Sequence, residues 1–76
     1  MKINVTLHGI LRDYLPRPVK GKTTLTLPDG ARVAEVVQQL NITRSVSAAV
    51  NGEEAELDRV LQDDDQLQLF QLIGGG

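Results

Sequence analysis

The sequence predicts an α+β fold: a mixed sheet of four to five strands, covered on one face by a single main helix. Three observations predict it. Apolar and polar residues alternate at the start, in KINVTLH, and again near the end, in QLQLFQLI. One segment, ARVAEVVQQLN, spaces its apolar residues for a helix instead. No second large stripe of that kind is present, so this helix must cover one face of the sheet.

In KINVTLH, Ile3, Val5 and Leu7 share one face and Lys2, Asn4, Thr6 and His8 the other, the period of a half-buried strand. Gly9 breaks the alternation. In ILRDYLPRPVKGK, Pro16 and Pro18 stop any long element. A single helical turn fits Leu11 to Leu15, with both leucines packing inward. KTTLTLP alternates again, placing Thr23, Leu25 and Leu27 on one face. About a dozen residues separate these strands, so they form a loose hairpin. Pro28-Asp29-Gly30 is a turn.

The period then changes. Val33, Val36, Val37 and Leu40 form one stripe of an amphipathic helix. Glu35 lies in its first turn, where the helix dipole favours a negative charge. Arg32 stands at the cap position, unless Asp29 serves, and Asn41 is the expected stop. Asn51-Gly52 suits a type I′ hairpin, because both residue types tolerate positive φ. Val46, Ala48 and Val50 alternate on one side of it, Ala55 and Leu57 on the other. LDRVLQDDDQ is a short connection with one helical turn that buries Leu57, Val60 and Leu61. In the last strand Leu67 and Leu69 take the core parity, while Phe70 and Leu72 point the opposite way. The first and last strands are the most apolar and are expected to lie centrally.

At 76 residues the chain holds one domain. A chain this short buries only about 60% of its unfolded surface, so its stability margin is small. There is no Cys, hence no disulfide, thiol nucleophile or zinc thiolate. Net charge is -2, without the basic stripe of a nucleic-acid binder. Lys2, Lys20, Lys22, Arg12, Arg17 and Arg44 are scattered. One Phe, one Tyr and no Trp make no stacking platform for single strands. No apolar run approaches the roughly 18 residues that cross a membrane, and the start lacks a signal peptide's apolar stretch. A cytoplasmic protein, with neither nucleic acid nor membrane as partner, is the expectation. Asp63–Asp65 are consecutive acids that point different ways and form no ligand cage, so no metal site is expected. His8, a lone residue on the polar face, reads as structural or surface. No nucleophile–base pair suggests an enzyme.

LHGILRDYL, LPDGARVAEVVQQL and VNGEEAELDRVLQDDDQLQLFQLIGGG, in that order and at this length, resemble the β-grasp or ubiquitin-like fold. More narrowly they resemble the prokaryotic sulfur-carrier proteins of the MoaD and ThiS type. The resemblance covers the whole chain. It rests on Gly9-Ile10-Leu11-Arg12, on the turn into the helix, on Val50-Asn51-Gly52, on the acidic turn before the last strand, and on the glycine end. It implies a β-grasp domain over residues 1–73 and a flexible glycine tail over 74–76. Two positions depart from the family pattern. Arg32 replaces a usual Thr cap, a loss of about 1 kcal/mol. Asp64 replaces a Gly in the acidic turn; if that position needs positive φ, Asp is among the few types that tolerate it.

The resemblance further implies that the protein is a carried substrate rather than a catalyst. An E1-like adenylating enzyme would use ATP to convert the Gly76 carboxylate to an acyl-adenylate. A sulfur donor would displace AMP and leave a thiocarboxylate. A larger synthase subunit or a thiazole synthase would then take the sulfur into molybdopterin or a thiamine thiazole ring, and the chain could itself be the small subunit of a molybdopterin synthase. No cofactor is bound; ATP belongs to the partner enzyme. Gly74, Gly75 and Gly76 lack Cβ atoms and can thread a narrow channel. Phe70, Leu72 and Ile73, beside the tail, are the expected partner-binding residues; the alternative for Phe70 and Leu72 is a partly buried second core. ILRDYLPRP leans to the molybdopterin type and LFQLIGGG to the thiazole type. Two other readings stay open: a ubiquitin-like modifier joined to lysines through Gly76, and a β-grasp interaction module without tail chemistry.

Overall fold

A computed structural model describes residues 1–14 and 21–72. The element order is β1 (Lys2–Leu7), a 3-10 helix (Gly9–Tyr14), β2 (Lys22–Thr26), α1 (Val33–Gln39), β3 (Val46–Val50), β4 (Glu53–Ala55) and β5 (Gln66–Gln71). The strands form one five-stranded sheet in the order β2-β1-β5-β3-β4. β1 and β5 run parallel and every other neighbouring pair is antiparallel. The two most apolar strands are therefore adjacent, with β5 at the centre, as expected.

Alternation decides which residues meet. Ile3, Val5 and Leu7 of β1, Leu67 and Leu69 of β5, and Ala48 and Val50 of β3 are all buried on one face. Val33 and Val36 of α1 close over them in the same core. Val37, Leu40, Leu25 and Val46 pack around its rim. Each fully buried Leu, Ile or Val contributes about 1.5–3 kcal/mol relative to exposure. The opposite face holds Asn4, Thr6, Thr24, Ser47, Ala49, Gln68 and Phe70, all exposed or half-exposed.

Turn chemistry matches the backbone. Asn51 and Gly52 have φ of 52° and 85°, the left-handed pair that a tight hairpin requires. Asn41 ends α1 at φ 58° and Asp64 sits at φ 69°. The positive φ that Asp64 was expected to tolerate is thus present.

Three details of the sequence reading are corrected. The turn after β1 is a 3-10 helix that begins at Gly9, earlier than the expected Leu11. Leu11 is buried in it, whereas Leu15, Pro16 and Pro18 lie outside the described residues. The segment after β4 does not bury Leu57 and Val60 on a helical turn; both are about half exposed, and only Leu61 reaches the core. Its backbone is spent elsewhere. The Ala34 N–H donates to the Leu57 carbonyl at 2.8 Å, and the Val33 N–H to the Arg59 carbonyl at 3.0 Å. This strap turns at Leu57–Asp58, closed by the Arg59 N–H to the Glu56 carbonyl, and bonds the start of α1 with its backbone while Leu57 and Val60 face outward. The third correction follows from the same bonds. Arg32 makes no side-chain cap, but the first amides of α1 already have acceptors. The loss expected of a missing cap side chain is therefore largely offset.

Candidate functional site

The acidic turn fixes where β5 begins. The Lys2 N–H donates to Asp63 Oδ1 at 2.8 Å, and Asn4 Nδ2 donates to Asp64 Oδ1 at 3.2 Å. Asp65 accepts from Asn51 Nδ2 at 2.9 Å and from the Gln62 N–H at 2.8 Å. The Asp64 N–H in turn reaches the Lys2 carbonyl at 2.7 Å. The three carboxylates are thus spread over three sets of donors and converge on no common point. Among the described residues no cluster with metal-ligand composition occurs.

From that anchor β5 runs between β1 and β3. Its register pairs Leu7 with Leu69 on one side and Ser47 with Phe70 on the other. Leu67 and Leu69 are fully buried, so parity turns Phe70 to the outer face. Phe70 is 36% exposed and Leu72 49% exposed. Both are exposed apolar residues, close in sequence to the tail. The Leu72 N–H still donates to the Ser45 carbonyl at 3.0 Å, so ordered pairing extends to the last described residue. Ile73, Gly74, Gly75 and Gly76 lie outside the described residues.

One residue at this site was missed by the sequence reading. The His8 imidazole stacks on the Phe70 ring, with centroids 4.5 Å apart and planes 1° from parallel. The His8 N–H donates to the Leu69 carbonyl at 3.1 Å, which extends the β1–β5 pairing by one residue. His8 Nε2 is buried and, among the described residues, has no hydrogen-bond partner. Composition and period could not find this contact. It depends on the parallel β1–β5 register, which neither strand's own sequence specifies. Ile10, in the 3-10 helix that packs beside β5, is a further exposed apolar residue.

The arrangement offers the exposed apolar side chains of Phe70 and Leu72 on an otherwise largely polar face, a few residues before Gly76 in the sequence. Among the described residues no helix is long and apolar enough to cross a membrane.

Known proteins resemble this chain in family and in fold. The ThiS family model matches residues 5–76. No curated protein matches the chain. Among solved structures, molybdopterin converting factor subunit 1 of Pyrococcus furiosus superposes with a TM-score of 0.76 at 22% identity, covering 95% of this chain and 98% of its own. Small archaeal modifier protein 1 of Haloferax volcanii gives 0.75 at 16% identity, covering 95% and 98%. The thiamine biosynthesis protein ThiS of Geobacter metallireducens gives 0.58 at 22% identity, covering 96% and 99%. At these identities the superpositions establish the β-grasp fold.

Proposed function

The chain belongs to the ThiS family, and from that premise we propose that it is a sulfur carrier whose working group is the Gly76 carboxylate. The observation that carries the proposal is the family match running through the glycine end. The surface agrees with it: Phe70 of β5 and Leu72 just after it are exposed on the segment that leads into the tail.

A carboxylate resists attack by sulfur because its leaving group is poor. Activation by a separate adenylating enzyme removes that obstacle. A Gly76 carboxylate oxygen bonds to the α-phosphorus of ATP and pyrophosphate leaves. Hydrosulfide from the sulfur donor then bonds to the acyl carbon, AMP leaves with the bonding pair, and loss of the S–H proton leaves the thiocarboxylate. The chain supplies the acyl group, the reach and the docking surface; the ATP and the catalytic groups belong to the partner. Four residues beyond Leu72 extend about 13–14 Å, enough to enter a recessed site. Ordering each costs roughly 1–2 kcal/mol, which contacts at Phe70, Leu72 and Ile73 offset. The thiocarboxylate sulfur then goes to a larger synthase subunit or a thiazole synthase, for molybdopterin or thiamine thiazole formation.

Mass spectrometry tests the proposal. With the adenylating enzyme of the same organism, ATP and a sulfide source, the chain should gain about 16 Da, the oxygen-to-sulfur difference of the acyl substitution. A variant lacking Gly76 should gain nothing. An unchanged wild-type mass would overturn the sulfur reading. A ladder of high-mass, Gly76-dependent conjugates in cell extract would point to a protein modifier instead.

A further inference from the structure

Phe70 stands between two unlike neighbours. The register places His8 of the β1 extension, Phe70 of β5 and Ser47 of β3 in one row across the outer face. One face of the Phe70 ring lies flat on the His8 imidazole. On the β3 side its register partner is the small Ser47, and the ring remains 36% exposed. The ring is thus backed on the β1 side and, among the described residues, paired only with a small residue on the β3 side.

We propose that His8 is a positioning residue for docking: it holds the Phe70 ring so that its second face, above Ser47, receives an apolar side chain of the enzyme that takes the tail. The inference rests on the carrier reading and deepens it. The tail's length argues for this occupant. An active site that holds Gly76 lies within about 13–14 Å of Leu72, so that enzyme's surface must come close to Phe70. The benefit is preorganisation. A ring already fixed against a rigid strand loses less rotamer freedom on binding than a free one.

The buried Nε2 does not explain the residue's place. His8 Nε2 is buried without a partner among the described residues, a state that lowers stability. What the residue supplies is a flat ring. A phenyl ring should therefore replace it, whereas a methyl group should not.

The variants H8A, H8F and F70A test this with two readouts. One is the order of the Phe70 side chain in the free protein, measured by NMR. The other is pyrophosphate release by the adenylating enzyme of the same organism with ATP, as a function of chain concentration. H8A should loosen the Phe70 ring and raise KM roughly three- to tenfold, the range expected for immobilising one side chain, with kcat unchanged. H8F should keep the ring ordered, hold KM near wild type and melt no lower than wild type. F70A should raise KM at least as much as H8A. An ordered Phe70 in H8A, or a KM for H8F as high as for H8A, would overturn the inference. No pyrophosphate from the wild-type chain would sink the carrier reading, while the ring measurement on the free protein still decides whether His8 holds Phe70.

Discussion

Asn51 Nδ2 donates to Asp65 Oδ1 at 2.9 Å, tying the β3–β4 hairpin to the turn that launches β5. Asn51 Oδ1 accepts from the Gln66 N–H at 3.0 Å, and the Asn51 N–H reaches the Gln66 carbonyl at 2.8 Å. Asp65 also accepts from the Gln62 N–H. One side chain thus closes its own turn and fixes the neighbouring hairpin. D65A removes both contacts at a partly exposed site. We expect a loss of about 1–2 kcal/mol. In a domain this size that lowers the melting temperature by several degrees, on the order of 4–8 °C per kcal/mol. D58A, at an exposed position of the strap, should change stability by less than about 0.5 kcal/mol. Equal melting of D65A and D58A would remove Asp65 from this role.

Asp64 offers a test of backbone strain. Its φ of 69° is left-handed, and its carboxylate accepts from Asn4 at an exposed position. D64G relieves the strain and loses a weak hydrogen bond, so its stability should stay within about 0.5 kcal/mol of wild type or rise. D64A keeps a Cβ, loses the hydrogen bond and should cost about 1–2 kcal/mol. Chemical denaturation of the two variants side by side measures the difference. If alanine matched glycine, φ would not be what limits this position.

The fold was largely legible because its signals are local and repeat. Period two in β1 and β5, period 3.6 in α1 and Asn51-Gly52 each specify an element from a few neighbouring residues. The strap after β4 was misread for the same reason. Leu57, Val60 and Leu61 have helical spacing, but the carbonyls of Leu57 and Arg59 bond amides of α1 more than 20 residues away, and that tertiary use overrides the local pattern. At the candidate site, the outward parity of Phe70 and Leu72 could be read from alternation. The His8–Phe70 stack could not, because it joins residues 62 positions apart through a strand register that only the assembled sheet defines.

The strap makes a specific prediction for the helix start. A Ser or Thr at an N-cap ordinarily stabilises by about 1 kcal/mol, by accepting from the second or third helical amide. Here the Ala34 N–H already bonds Leu57 and the Glu35 N–H bonds the Arg32 carbonyl. R32T should therefore raise stability by less than about 0.5 kcal/mol, well short of the usual gain. Urea unfolding of R32T against wild type measures it. A full 1 kcal/mol gain would show that the strap's carbonyls do not satisfy the helix in solution.

Leu69 and Phe70 are neighbours in sequence on opposite faces of β5, so stability can be tested apart from the proposed docking at adjacent positions. Leu69 is fully buried between β1 and β3. Its truncation to Ala removes a large side chain from the centre of a small core and should cost about 2–5 kcal/mol. A 76-residue domain has little reserve, so L69A should be partly unfolded at ordinary temperature. Phe70 is over a third exposed and rests on His8, so F70A should cost about 1–2 kcal/mol in stability, less than L69A. Its effect should appear in partner binding, where an exposed aromatic anchor contributes most. Circular dichroism melts and binding to the adenylating enzyme, measured on the same two preparations, give the comparison. A folded L69A, or an F70A that melts as low as L69A, would mean that β5 does not present these two faces as described.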